Sequence, residues 1–368
     1  MANILDYLDW RGDITLAQSA FNPIDSLILS VIAYIPFENI VPEAFTAKGI
    51  PFHEASRQLQ KIQNTFTSER IKQHIDLFTK TASANRFAAF RLSGYCNHFD
   101  KNQETQFAAV TITCTDNTHF VAFRGTDATL VGWKEDFNMS FMTPVPAQRQ
   151  ACRYLEAAAK KLWGKLRTGG HSKGGNLAVY AGAFCKPSIQ RRILAVYNND
   201  GPGFDESIIT KPEFQAISKK LFSFVPQSSI VGMLLEHAEQ YTVVESINRG
   251  IAQHDPYSWS VLGTDFVYKD TITDTSKFLD TTIKNWLNGL TPQERENFVD
   301  VLFSILEATG VSSFSELSTN WFQRAKTAGE ALKNLDAETK TMILKTLKLL
   351  VDAAAQTITK QLVVSRSL

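Results

Sequence analysis

Hydrophobic positions fall into three textures along the chain. Before residue 86 they recur at helical spacing. Ser26 to Ile35 is an apolar run, and Thr67 to Ala82 sets Ile71, Ile75 and Phe78 on one face after a Ser68-Glu69 start. From residue 86 the runs shorten and turn to Phe, Val, Ile and Thr. Arg86 to Ser93, Gln106 to Cys114 and His119 to Arg124 are separated by the polar turns Phe99-Asp100-Lys101-Asn102 and Thr115-Asp116-Asn117, which predicts a strand meander. A helix over about Ala147 to Lys165 follows, with Leu155, Ala158 and Leu162 along one face.

The texture then alternates. A strand into Gly169, a helix Lys173–Phe184, a strand Ile193–Tyr197, a helix around Glu213–Lys220, a strand Phe222–Val225, a helix Ile230–His237 and a strand Tyr241–Glu245 are predicted in turn. Strands alternating with helices imply parallel pairing with helices on both faces. The meander before them makes the sheet mixed. From about Thr273 the pattern is helical again. Thr291-Pro292-Gln293-Glu294 is a capping box, Gly310 a natural stop, and Ile343, Leu347, Leu350, Ala354 and Ile358 a stripe on a last helix. The expected class is therefore α/β: a core over residues 86–272 with a mixed, mostly parallel sheet, a helical extension over 1–85 packed on it, and a second over 273–368. The last stripe packs on the body or offers a surface for self-association.

Composition narrows the function classes. The 368 residues carry 38 Lys+Arg against 37 Asp+Glu, a net charge of +1, so no basic excess points to nucleic acid. The 25 Phe supply a large core or line an apolar cleft. Asp6, Asp9 and Asp13 interrupt what a signal peptide would need, and the apolar Ser26–Phe37 stretch is too short to span a bilayer. A cytoplasmic chain without an integral membrane segment is expected. Cys96, Cys114, Cys152 and Cys185 form no C-x-x-C pair and no metal-ligand spacing, so they read as reduced thiols, with no metal and no cofactor implied.

One segment carries chemistry. Gly170-His171-Ser172-Lys173-Gly174 is a G-x-S-x-G between a short strand and the helix that starts at Lys173. A serine on such a strand–turn–helix sits in a costly backbone conformation that neighbouring small residues make possible. Its Oγ then stands at the carboxyl edge of the sheet, above a helix N-terminus. A hydroxyl is a poor nucleophile at neutral pH and needs a base. Of the two later histidines, His237 ends a predicted helix, whereas His254 lies in a loop beyond a strand and is the better base. Asp200 ends the Ala195–Asn199 strand before Gly201-Pro202-Gly203 and is the candidate acid, because Asp255 adjoins the histidine and is badly placed to face it. Oxyanion donors are expected from the backbone after the nucleophile, at Lys173, and from the Phe120–Thr126 loop, at Thr126.

These motifs occur in a telling order. Val121-Ala122-Phe123-Arg124-Gly125-Thr126, then Trp133-Lys134-Glu135-Asp136, then Gly-His-Ser-Lys-Gly-Gly resembles the class 3 (fungal-type) lipase branch of the α/β-hydrolases, over about residues 86–268. The longer pattern from Asp6 to Trp259 is similar to a bacterial, lipase-like family of unknown function. The resemblance implies an α/β-hydrolase fold, Ser172 as nucleophile, His254 as base, and Thr126 with Lys173 at the oxyanion hole. The chain departs from that pattern at one place: Ser229 stands where class 3 lipases carry their acid. Either the acid has moved to Asp200 or the triad is incomplete. The expected activity is hydrolysis of a small-molecule or lipid carboxylic ester through an acyl-enzyme. The alternative is a catalytically weak or inactive scaffold that binds a ligand or protein. Phe123, His171, Phe137 and Phe141 are the expected substrate-side residues, and Phe137–Val145 and Ile230–Leu235 the candidate lids.

Overall fold

Side-chain alternation in the strands decides which helices cover which face. The computed structural model describes residues 1–100, 105–126, 130–139, 142–229, 231–232 and 241–308, with parts of 326–349. The strands are β1 (Ile50–Pro51), β2 (Arg91–Asp100), β3 (Thr105–Thr113), β4 (Thr118–Phe123), β5 (Lys165–His171), β6 (Ile193–Asn199), β7 (Leu221–Pro226), β8 (Tyr241–Val244), β9 (Val261–Leu262), β10 (Asp265–Phe266) and β11 (Tyr268–Lys269). Among the described residues nine of them form one sheet in the order β1-β2-β3-β4-β5-β6-β7-β8-β11, and β9 pairs with β10. Each neighbour from β4 to β8 is parallel. β1 on β2, β3 on β4 and β11 on β8 are antiparallel, so the sheet is mixed and mostly parallel.

The chain forms two compact units. The first holds residues 1–99, 107–125 and 147–273; the second holds 100–106, 126–146 and 274–368.

In the first unit the sheet is covered on both faces. Val110, Ile112, Phe120, Ala122 and Tyr197 turn toward a core filled by α1 (Ile4–Arg11), α2 (Pro23–Ile32), α3 (Phe52–Ile62) and α4 (Glu69–Ser83). The intervening Ala109, Val121, Phe123 and Val196 turn the other way. In the chain order that follows, α5 (Leu130–Asn138) belongs to the second unit. The other face of the sheet is covered by α6 (Pro146–Lys161) and α7 (Lys173–Phe184). The residues before 86 thus supply most of one side of the core, joined there by Phe87, Phe90, Tyr257, Trp259 and Phe266. Their helices start where the sequence places caps: Asn22 caps α2 ahead of Pro23, and Ser68 caps α4.

Two predicted elements differ. The strand expected from Arg86 begins at Arg91, because the backbone before it is closed into turns, with Phe87 and Ala88 N–H on Ala84 O at 2.9 and 2.8 Å and Phe90 N–H on Phe87 O at 2.8 Å. The helix expected over Glu213–Lys220 breaks into a four-residue turn of helix, Pro212–Gln215, and a 3-10 turn, Ser218–Lys220, before β7 begins at Leu221. The expected Ile230–His237 helix, Gly310 and most of the last stripe lie outside the described residues.

Arg86 ties the amino-terminal helices together. Its guanidinium donates to Asp25 Oδ1 at 2.7 Å and Oδ2 at 2.5 Å, and to the carbonyls of Ile14, Ser19 and Ala20 at 2.9–3.0 Å. Tyr7 donates to Asp25 Oδ1 at 2.8 Å, and Asn22 N–H to Oδ2 at 3.0 Å. Both charges are essentially out of solvent. Such a pair is tolerable only because almost every donor and acceptor is matched.

In the second unit, Thr291 and Glu294 form the predicted box, with Glu294 Oε2 accepting from Thr291 N–H at 2.9 Å and Thr291 Oγ1 accepting from Glu294 N–H at 3.2 Å. The box opens a helix over Pro292–Ala308 that follows another over Asp274–Asn288. Phe137 on α5 packs its ring on Phe303, and Lys134 pairs with Asp300 at 2.8 Å.

Removing one member of the buried pair tests this account of the amino-terminal side. Asp25→Ala leaves Arg86 buried and uncompensated, and is expected to lower the unfolding free energy by about 3–5 kcal/mol in a urea titration. A loss under about 1 kcal/mol, the size of an exposed ion pair, would contradict it.

Candidate active site

The site is built where β5 and β6 end side by side. Ser172 follows β5 and caps α7 with φ 59° and ψ −137°, a region that non-glycine residues occupy only under constraint. The constraint is visible. Ser172 N–H donates to Asn199 O at 3.0 Å, and Gly175 N–H to Ser172 O at 2.8 Å. A Cβ on Gly170 would lie 2.1 Å from the Gly174 carbonyl carbon, and one on Gly125 would lie 2.6 Å from His171 O and 3.1 Å from Ser172 Cβ. Backbone therefore packs directly against the turn on two sides.

Asp200 occupies the matching corner after β6, also at positive φ (56°), with its N–H on Phe224 O at 2.8 Å. Aspartate tolerates that region better than most residues. The following Gly201-Pro202-Gly203 turn is held from α7. Asn176 donates to Pro202 O and Gly203 O at 3.1 and 3.0 Å, and Gln148 donates to Asn176 at 2.8 Å. Asn176, the residue after the Gly-His-Ser-Lys-Gly-Gly turn, thus also fixes the corner of Asp200.

Asp200 is fully buried, and its two oxygens are separately engaged. Oδ2 lies 2.6 Å from His254 Nδ1, while Oδ1 accepts the Ser229 hydroxyl at 2.5 Å. Ser229 in turn accepts Gly232 N–H at 2.9 Å. Ser229, after β7, therefore contacts the carboxylate of the neighbouring corner. With Nδ1 donating to Asp200, the neutral His254 ring keeps Nε2 as its basic nitrogen. His254 sits in the 3-10 turn Gly250–His254 with its side chain 27% exposed, whereas Ser172 is 9% exposed. Among the described residues no hydrogen bond joins Ser172 Oγ to His254. Such contacts often close only when substrate binds.

With this geometry in view, sequence comparison decides the family. The profile of the Mbeg1-like family matches residues 81–304, more than half of the chain. The chain belongs to the Mbeg1-like family. The match starts within α4 and leaves α1, α2, α3 and Tyr34 before it. Among solved structures, one described as the crystal structure of M37 lipase is similar at 13% identity and a TM-score of 0.35, over 56% of this chain and 68% of that one. No curated protein matches.

The remaining expected residues of this Mbeg1-like chain are distributed as follows. Lys173 is the buried first residue of α7. Thr126 lies in the second unit and donates its hydroxyl to Asp136, the last residue of the W-x-x-D segment. Phe123 is fully buried and packs on Phe107 and Tyr154, so it is core and not a cleft wall. Its place on β4 made it turn with Val121 onto the α6–α7 face. Phe137 is 37% exposed beside Phe303, and Phe141 lies outside the described residues, as do His237 and most of Ile230–Leu235. His171 is buried between Tyr34 and His254. Tyr34 escaped sequence reading because nothing local marks it: its partner is 137 residues away.

The strained turn has a measurable cost. Ser172→Gly removes the positive-φ penalty and is expected to raise the unfolding free energy by about 1 kcal/mol, while Ser172→Ala does not. Equal urea midpoints for the Gly and Ala variants would contradict the strain.

Proposed function

We propose that this protein is a serine hydrolase of carboxylic esters, working through an acyl-enzyme on Ser172. The observation that carries the reading is the 2.6 Å contact between Asp200 and His254 Nδ1 at the edge where a strained serine caps a helix. In this reading Ser172 Oγ attacks the ester carbonyl carbon and its proton passes to His254 Nε2. Asp200 stabilises the imidazolium without taking the proton. The tetrahedral oxyanion forms at the N-terminus of α7, where the Lys173 N–H and the helix dipole favour it. The resemblance alone adds Thr126 as second donor. Collapse of the intermediate breaks the ester C–O bond, and His254 returns the proton to the leaving alcohol. Water then repeats the sequence on the acyl-enzyme and releases the acid.

The acid reaches His254 from β6 instead of β7. A carboxylate needs only the right distance and its own hydrogen bonds to do this work. Ser229, standing where class 3 lipases carry their acid, supplies one of those bonds and so supports Asp200 in that role. A neutral ester substrate suits a chain with a net charge of +1, and the chain length of the acyl group sets whether the activity is esterase or lipase. A second reading, a hydrolase-like scaffold without turnover, is favoured by the lack, among the described residues, of a hydrogen bond between Ser172 Oγ and His254.

Hydrolysis of p-nitrophenyl esters of graded acyl length separates the two. The hydrolase reading expects turnover that Ser172→Ala abolishes and that Asp200→Asn lowers about 10⁴-fold, by holding the wrong imidazole tautomer. Turnover unchanged in folded Ser172→Ala overturns Ser172 as the nucleophile, and no turnover of any ester with wild type supports the scaffold.

A further inference from the structure

Two imidazoles face one another at the site, and the proposed reaction uses one of them. The rings of His171 and His254 lie 4.6 Å apart at 35°. His171 is buried, and burial holds its pKa well below the usual histidine value, so the ring is neutral. A neutral imidazole has one donor and one acceptor. His171 Nε2 lies 2.8 Å from the backbone carbonyl oxygen of His254. A carbonyl only accepts, so Nε2 carries the hydrogen and Nδ1 the lone pair. Nδ1 in turn faces the Tyr34 hydroxyl at 3.2 Å, and the same hydroxyl lies 3.2 Å from His171 O. Ring and backbone of His171 are thus both set against one donor. The hydroxyl fits there because position 125 has no side chain: a Cβ would come within 2.1 Å of its oxygen.

From this arrangement we infer that His171 is a positioning residue that locks the backbone of His254 to the nucleophile elbow, with the Tyr34 hydroxyl bracing its ring and backbone from the other side. The inference rests on the reading of His254 as the base. His171 is covalently next to Ser172, so its Nε2–H bond fixes the base's backbone to the nucleophile's neighbour across 83 positions of sequence. Among the described residues it is the hydrogen bond that the His254 carbonyl accepts. The turn it holds begins at Gly250, at φ 54°, and is anchored elsewhere through Gln253, whose Oε1 accepts Ser228 N–H at 2.6 Å and whose carbonyl accepts Trp259 Nε1–H at 2.9 Å. Asp255 pairs with a partly exposed Arg70, and the Tyr257 hydroxyl meets His74 Nδ1 at 2.9 Å. Those contacts hold the chain after His254; Asp200 holds the His254 ring, and His171 holds its backbone carbonyl. The substrate-side role expected for His171 is replaced, because its ring nitrogens are spent on Tyr34 and on backbone.

The test uses the full chain and three variants. His171→Leu removes the donor at similar volume, His171→Gln restores an N–H at the reach of Nε2, and Tyr34→Phe removes one oxygen. Two quantities are read: amide hydrogen exchange in peptides covering 250–258, and the second-order rate of Ser172 labelling by a fluorophosphonate. His171→Leu is expected to exchange about 5- to 10-fold faster in 250–258. It should also label about 10- to 100-fold more slowly, as a nucleophile and base displaced by a fraction of an ångström would. His171→Gln stays near wild type in both, and Tyr34→Phe lies between. Unchanged exchange in folded His171→Leu overturns the lock, as does faster exchange with an unchanged labelling rate. Should His171→Leu fail to fold, Tyr34→Phe carries the same two outcomes. Wild-type protein that takes no label at Ser172, with exchange still responding to His171, refutes the hydrolase reading and leaves the lock in place.

Discussion

A serine held at φ 59° is the constraint around which this part of the molecule is arranged. The conformation costs about 1–3 kcal/mol and persists only where the surroundings over-determine it. Here they do so in layers. Parallel pairing of β5 with β6 brings Asn199 O to the Ser172 amide, and α7 starts at once behind it. Gly170 lets the first turn of that helix close onto the strand, and Gly125 lets β4 end against the serine. Both faces of the sheet must be filled for β5 to be rigid enough to hold the turn. The amino-terminal helices fill one face and α6 with α7 the other. The buried Arg86–Asp25 pair fixes the first of these layers.

The neighbouring corner obeys the same logic. Asp200 ends β6 at positive φ, is cleared of solvent, and divides its oxygens between His254 and Ser229. Asn176, four residues beyond Ser172, holds the turn after Asp200. The elbow and the residue after it therefore specify two corners: Ser172 makes one and Asn176 braces the other. The Tyr34–His171 contact adds the third attachment, the turn that carries His254.

What was legible in the sequence is what is local. The Gly-His-Ser-Lys-Gly-Gly turn, the helix Lys173–Phe184 and the strand before Asp200 are written in adjacent residues, and each was readable from spacing and residue type. The departure at Ser229 was also readable, and it left the acid open between Asp200 and an incomplete triad. The contact that bears on that choice joins positions 54 apart, and spacing has no access to it. The same holds for Arg86, which local texture assigned to a strand and which a partner 61 residues away holds in the core. Phe123 shows the converse: aromatic character near a motif suggested a cleft, but alternation along β4 placed the ring with Val121 in the α6–α7 core.

The central claim is that Ser172, His254 and Asp200 act as one unit. A crystal structure of the protein after reaction with a fluorophosphonate tests it most directly. The account predicts phosphorus bonded to Ser172 Oγ, His254 Nε2 turned to the adduct, and Asp200 still on Nδ1. Phosphorus on another residue, or an unmodified Ser172 with His254 facing away from it, would contradict the account.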